Sequence, residues 1–388
     1  MAKKQLSVSD VTDILNELNP WGGILEENQF SIIHDYIPTG NYILNALMSG
    51  DLFAGIPVNR SSAFGGESGS GKTFLCLNAV REAQKKGYYV VYFDSENAVD
   101  NETAKKFGID TTKISYEPVA TVFEFKSLVK QTTDKLLKKQ SEGFELPKLF
   151  FVLDSLGNLS TTKEQEDAKA GKDKVDMTRA KELKSLFRII TMDLAKLKIP
   201  FLLTNHTYDS QDLFSKPVFS GGGGAIFNCS IITMLRKAKL KERVTEKDKS
   251  KGFETNGIIV TASTLKNRLA KPIKIKFYID FTRGMNPYVG LHEFVSWDIC
   301  GIEKNAKWDE KKQKKMRSNN GKYLVEHLGN KLVSAKDLFT PEVFTEEVLQ
   351  KLNEAVIKPL FMFSDGSDDE IIDIEIDEAV DQEEENEE

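Results

Sequence analysis

A chain of 388 residues with 40% apolar side chains has room for one large α/β domain and smaller appendages, and no apolar run approaches the ~20 residues of a membrane span. The first residues run into polar sequence with no apolar h-region, which argues against a secretory signal. The three cysteines (Cys76, Cys229, Cys300) and four histidines are widely scattered, so a zinc site is not expected and the thiols read as reduced ones in a cytoplasmic protein.

In chain order, Ser9-Asp10 can cap a helix through Leu18 that stops at Asn19-Pro20, so residues 1–30 read as a small helical element. Residues 31–60 hold Ile37-Pro38-Thr39-Gly40, an apolar helical stretch around Tyr42, Leu44 and Leu47, and a turn at Gly50 and Gly55. A helix-like run, Phe74 to Lys86, follows a Gly/Ser-rich loop. Buried-type strands are predicted at Tyr88–Asp94, Lys148–Asp154 and Ile199–Asn205, separated by helices at Val122–Lys139 and Met177–Leu197. That alternation implies right-handed crossovers and a mostly parallel sheet. Strands at Ser230–Arg236, Gly257–Lys266 and Lys274–Phe281 are closer together and suggest an antiparallel or mixed extension. Residues 303–322 read as a charged linker, and Tyr323 to Ile357 as short helices. The 30 residues from Pro359 to Glu388 carry 14 acids and no base, which leaves 53 basic against 45 acidic residues in the rest. The net charge of −6 thus joins a basic body to an acidic tail, read as a disordered segment. Such a tail is either a solubilising segment or a polyanion that competes with nucleic acid for the body.

The chemistry is densest at Gly66-Glu67-Ser68-Gly69-Ser70-Gly71-Lys72-Thr73, which fills every fixed position of G-x-x-x-x-G-K-[ST]. Glycines let backbone N–H groups converge on phosphates, Lys72 can reach the β and γ phosphates, and the Thr73 hydroxyl is placed for magnesium. The reading is therefore an ATP or GTP site. Asp154 ends an apolar strand, as the second magnesium carboxylate should, although it could equally cap a turn with Ser155. Asp94 and Glu96 both end the first strand after the loop, and either could polarise a water, unless Asp94 only braces the turn. His206 ends the third strand and could report a γ phosphate to the segment that follows, or be an ordinary strand-end histidine. Two polar breaks, 160–174 and 207–224, follow strand ends and so belong on the ligand-binding edge of the sheet.

These motifs, with Tyr92-Phe93-Asp94-Ser95-Glu96, Leu153-Asp154-Ser155 and Lys266-Asn267-Arg268, fall in the order of the RecA-type strand-exchange recombinases. Over roughly residues 30–295 the chain resembles most closely the UvsX recombinases of T-even-like bacteriophages, through Asp154 to Ser160, Met177-Thr178-Arg179-Ala180-Lys181 and Asn205-His206-Thr207-Tyr208. The resemblance implies an α/β, RecA-like P-loop ATPase core (31–302) with a mostly parallel central sheet flanked by helices, a polymerisation element (1–30), a C-terminal helical region (303–358) and an acidic tail (359–388). It implies ATP and Mg2+ as cofactors and Glu96, rather than Asp94, as the catalytic carboxylate. His206 would be the γ-phosphate switch. Lys266 and Arg268 would reach a neighbour's ATP, with Arg268 where bacterial relatives carry lysine. The two breaks would be DNA-binding loops, with Lys172, Lys174, Arg179, Phe214, Lys216, Phe219, Gly221 and Gly222 as candidate contacts. Thr103 stands where a tyrosine often stacks on adenine, which leaves Phe281 as the substitute.

What the resemblance implies is an ATP-dependent recombinase that forms helical filaments of its own copies on single-stranded DNA and exchanges strands with double-stranded DNA. It would work in the cytoplasm of a bacterial host, with a single-stranded-DNA-binding protein and a recombination mediator as further partners. A hexameric helicase on the same core and a regulatory ATPase without DNA are the rival readings.

Overall fold

Period-two alternation sorts each central strand into two apolar faces, and the fold follows from what covers them. The computed structural model describes residues 6–26, 28, 32–171, 178–209, 217–219, 226, 228–239 and 256–363. The elements to the first long break are α1 (Val8–Leu18), β1 (Tyr36–Ile37), α2 (Tyr42–Ser49), β2 (Ile56–Pro57), β3 (Ser61–Gly66), α3 (Lys72–Lys85), β4 (Tyr89–Asp94), α4 (Asn101–Lys106), β5 (Ile114–Pro118), α5 (Val122–Ser141) and β6 (Leu149–Asp154). Beyond it lie α6 (Thr162–Lys169), α7 (Arg179–Lys196), β7 (Phe201–Asp209), β8 (Pro217–Phe219), β9 (Ile231–Lys239), β10 (Gly257–Asn267), β11 (Lys274–Asp280) and β12 (Gly284–Met285). The main sheet runs β12-β11-β10-β9-β3-β7-β6-β4-β5, with β8 on β7. β5, β4, β6, β7, β3 and β9 are parallel, and β10, β11 and β12 extend the sheet antiparallel.

On one face, Phe64, Tyr92, Phe150, Val152 and Leu202 pack with α2, α3 and the C-terminal region. On the other, Ala63, Phe93, Phe151, Leu153, Phe201 and Leu203 pack with α5 and α7. α5 offers Val122, Phe125, Val129 and Thr133, and α7 offers Leu183, Leu186, Phe187, Ile190 and Leu194, each at helical spacing on a single stripe. Phe125 anchors this layer, with ring centroids 5.0 Å from Phe93 and 6.0 Å from Phe201. Thr121 and Glu124 close a capping box at the start of α5.

Several sequence expectations change. Ser7, not Ser9, caps α1, and that helix buries none of its residues, leaving Val8, Val11, Ile14, Leu15 and Leu18 exposed. The expected linker 303–322 is instead hairpin structure: Ile302–Lys304 pairs with Tyr323–Val325, and Ala306–Asp309 with Lys314–Arg317. Tyr323–Val325 and Lys331–Val333 are strands, so the helical part of this region starts only at Glu346. The strands are short and lysine-rich, which hides their pairing in the composition. Their buried residues Ile302, Tyr323, Val325 and Val333 join the same apolar cluster as α2 and α3, so no separate unit begins at 303. The boundary expected at 358/359 also moves. Phe361 is buried, its carbonyl accepts from Lys271 N at 2.6 Å, and Met362 bridges Ala270. The acidic segment from 364 onward lies outside the described residues. Among the described residues no helix is long and apolar enough to cross a membrane.

Phe125→Ala is expected to lower the unfolding free energy by about 3–5 kcal/mol in urea titrations followed by circular dichroism. A loss below about 1 kcal/mol would contradict its place as the anchor of this layer.

Candidate active site

The register of the parallel strands assembles the site. Gly66 at the end of β3 pairs with His206 of β7, and Asp94 of β4 pairs with Asp154 of β6. Phe64 and Gly66, Tyr92 and Asp94, Val152 and Asp154, and Leu202, Thr204 and His206 all share the face that α3 covers, because alternate residues share a face. The ends of four strands therefore deliver their polar residues to one edge.

The phosphate loop leaves β3 at Gly66. A Cβ there would sit 2.7 Å from the Leu235 carbonyl oxygen and 2.5 Å from Ser70 Oγ, so only glycine fits. Gly71 has φ +96 and forms the N-terminal boundary of α3 with no side-chain cap, which leaves the helix amides to an anion. Ser70 Oγ is fully buried and, among the described residues, has no hydrogen-bond partner. A glycine cradle, an uncapped helix start and an orphaned buried hydroxyl fit a polyphosphate. Lys72 Nζ donates to the carbonyls of Gly66 and Glu67, each at 2.9 Å. Burial holds the Lys72 ammonium below its ordinary pKa, against the attraction of Glu96 and Asp154. Glu67, Ser68 and Gly69 form the exposed rim of the loop.

Asp154 is 1% exposed. Tyr92 Oη donates to it at 2.9 Å, and the Thr204 and Thr73 hydroxyls also bond to it. Burial still pushes its carboxyl pKa up, despite those donors, and the nearby Glu96 charge adds to the effect. A buried carboxylate bonded to the loop threonine fits a divalent cation, for which Thr73 and Asp154 would be the residues at hand.

Asp94 and Glu96 separate cleanly. Asp94 Oδ1 accepts from the amides of Glu96 (2.8 Å) and Asn97 (2.7 Å), and Oδ2 accepts from Ala98 N (3.1 Å) and Tyr116 Oη (3.0 Å). It is the brace of this turn. Glu96 faces the site instead: its Oε1 lies 2.9 Å from His206 Nε2 and accepts from the Ser155 hydroxyl. Burial opposes ionisation of Glu96, but the Ser155 and His206 hydrogen bonds and the His206 and Lys72 charges outweigh it, so its pKa falls below the ordinary value. A carboxylate kept ionised beside the loop can polarise a water. The sequence treated Ser155 only as a turn cap. Ser95 Oγ and Ser155 also exchange backbone bonds at 2.7 and 2.9 Å, tying the two strand ends together.

The cations of the Lys266-Asn267-Arg268 motif lie elsewhere. Lys266 pairs with Ile232 of β9, and Ile232 is level with Ala63, three residues before Gly66. Lys266 Nζ donates to the Ile226 carbonyl at 2.7 Å, on the face opposite α3. Asn267 Nδ2 donates to the Leu47 and Met48 carbonyls, both at 3.0 Å, and fixes the motif on α2. Lys266 thus lies level with the middle of β3 but on the face away from α3, and Arg268, whose amide donates to the Ser230 carbonyl beside the start of β3, lies toward the end of that strand remote from the phosphate loop. Phe281 is 63% exposed. It follows Ile279 by two residues, and Ile279 Cδ1 is the atom that a Cβ on Gly71 would strike at 2.8 Å. Thr103 is spent locally, its hydroxyl donating to Asp100 at 2.8 Å in the cap of α4.

The expected first loop, 160–174, is partly helical, since Thr161 and Glu164 cap α6. Its candidates Lys172 and Lys174 lie outside the described residues, as do Phe214, Lys216, Gly221 and Gly222 of the second loop. Arg179 donates from Nη2 to the Gly157 carbonyl at 2.6 Å, and a Cβ on Gly157 would lie 3.3 Å from His206 Cδ2. The second loop is framed by strands, because β7 continues past His206 to Asp209 and β8 returns along it, with Thr207 opposite Phe219. Phe219 corrects an expectation. It is 1% exposed and packs in the α5–α7 core against Gly65, so it is a core residue rather than a displayed base contact. Sequence type alone cannot reveal that, since an exposed loop phenylalanine and a buried one read alike.

Phe219→Ala is therefore expected to lower stability by about 3–5 kcal/mol in the absence of any nucleic acid, measured by urea unfolding. An unchanged midpoint would restore a surface role.

The RecA N-terminal domain model matches residues 24–286. The chain is 30% identical over 268 residues to a recombination and repair protein of Enterobacteria phage T4, covering 68% of this chain and 63% of that protein's length. It is 29% identical over 278 residues to the RecA protein of Thermus aquaticus, covering 71% and 75%, and 26% identical over 326 residues to that of Aquifex aeolicus, covering 82% and 83%. With more than half of its length matched by the family model, the chain belongs to the RecA family.

Proposed function

We propose that this protein is an ATP-dependent DNA recombinase that assembles head to tail on single-stranded DNA and exchanges that strand with a homologous duplex. The observation that carries the reading is the position of His206. It touches Glu96 at the phosphate loop, Gly157 packs against its ring, and the next residue of β7 pairs with Phe219. One side chain thus joins the hydrolytic carboxylate to the root of both segments expected to hold DNA. The name of the T4 relative, a recombination and repair protein, supports the same reading.

The chemistry follows from the residues. The loop amides and Lys72 would hold the phosphates, and Thr73 and Asp154 would hold Mg2+, which would supply charge neutralisation on the transferred group. Glu96 orients the attacking water and takes its proton. His206 donates to Glu96 or to a phosphate oxygen, and a change of partner moves the strand that leads into the second loop. Phe281 offers an exposed ring for the base. Lys266 and Arg268, out of reach of their own loop, would complete the site of a neighbour, which makes hydrolysis a property of the stacked pair. The apolar stripe of α1, Val8, Val11, Ile14, Leu15 and Leu18, supports a role as the arm that packs onto that neighbour. A heterologous contact of this kind propagates into an open helix. Lys172, Lys174 and Lys216 would meet DNA phosphates, and a single-stranded-DNA-binding protein and a loading factor are the further partners such a filament uses.

The full-length protein should hydrolyse ATP in response to single-stranded DNA, form extended helical filaments by electron microscopy, and pair homologous but not heterologous duplex in a D-loop assay. Closed rings, or no DNA stimulation at low salt, would overturn the reading. Glu96→Gln should cut turnover roughly 10²–10⁴-fold. The shared site gives a separate test. Glu96→Gln and Arg268→Ala should each be inactive alone, yet an equimolar mixture should recover roughly a quarter of the wild-type rate, as random neighbours in a heterologous interface require. No recovery would place both residues in one protomer's site.

A further inference from the structure

Gly66 has two strand neighbours, and only one of them enters the site already described. On the β7 side it is level with His206; on the β9 side it is level with Leu235. β9 continues past this point to Lys239. Lys237 stands two residues beyond Leu235 and on the same face, toward α3 and the phosphate loop. Its Nζ donates to the Ser68 carbonyl at 2.5 Å, and a Cβ on Gly69 would lie 3.1 Å from that nitrogen. Among the described residues the Ser68 carbonyl is its one hydrogen-bond partner, a neutral acceptor for an ammonium with three donors. Lys237 is also near enough to Lys72 for their charges to repel, which adds to the burial that already lowers the Lys72 pKa.

We propose that Lys237 is a second cation of the phosphate site, supplied by the same protomer, which contacts the terminal phosphate of a bound nucleoside triphosphate. The inference rests on the ATP-binding reading above. Glu96 and His206 mark where the attacking water must stand, and hence where the γ phosphate ends. That end lies at Gly66, between the tips of β7 and β9. His206 approaches from one side and Lys237 from the other, over the Ser68–Gly69 rim. Exchanging a neutral carbonyl for a phosphate oxygen gives Lys237 the stronger, charge-assisted bond. Two ammonium groups so close, Lys72 and Lys237, repel until an anion sits between them, so the rim favours the ligand with the most negative charge. Arg236, the neighbouring residue, points to the other face and takes no part.

A lysine that merely tethers the rim would serve ATP and ADP alike, and this separates the two roles. The test is calorimetric titration of the full-length protein with AMP-PNP and with ADP, each with Mg2+. Lys237→Ala should raise the dissociation constant for AMP-PNP roughly tenfold or more while that for ADP stays within about twofold, and Lys237→Arg should restore most of the difference. Equal weakening of both nucleotides, or no change in AMP-PNP affinity, overturns the proposal. Thermal unfolding of the ligand-free variants checks the tether, since a folding defect would lower both affinities together. Wild-type protein that bound neither nucleotide would instead defeat the nucleotide reading itself.

Discussion

Everything at the site depends on β3 being held in parallel register between β7 and β9. That pairing places Gly66 between His206 and Leu235, and it leaves no room for a side chain on Gly66. A one-residue slip would turn Thr204 and His206 to the α5–α7 face and break the contact with Glu96. The two apolar faces prevent it, since each central strand commits alternate residues such as Leu202 and Leu203 to different cores. The aromatic anchors of the α5–α7 layer thus help to hold the register that brings these strand ends together.

Through the sheet, the same strand couples the two sides. Gly66 opens onto the phosphate loop on the α3 face, while its neighbour Gly65 receives Phe219 on the other. The return strand of the second loop is therefore seated on the backbone that carries the loop gripping the phosphates. Close packing of this kind leaves little room for either segment to shift without the other.

Much of this was legible in the sequence. The phosphate loop spells its own chemistry, and the YYVVYFD and KLFFVLD runs announce buried strands that end in carboxylates. Strand alternation places Asp94, Asp154 and His206 at one edge. What could not be read was how each carboxylate spends its lone pairs. Asp94 and Glu96 are equivalent as residue types, and only the amides of Glu96, Asn97 and Ala98 folding back onto Asp94 make one a brace and leave the other free to act. The hairpins after 302 were hidden for a different reason. Lys307, Lys314 and Lys315 lie in short strands whose lysines mask the pairing, and their order comes from a core built by residues far away in sequence. Lys237 escaped notice because nothing in an exposed lysine tells which loop it overhangs.

Met362 has a consequence of its own. Its Cγ would lie 2.6 Å from a Cβ on Gly50, and it bridges Ala270, two residues past Arg268. The chain is thereby pinned at the end of the sheet that carries Lys266 and Arg268, immediately before the acid-rich sequence begins. In the sequence, all fourteen acidic residues of the C-terminal stretch follow this anchor. A side chain introduced at Gly50 would therefore be felt at Ala270, through the one methionine that touches both.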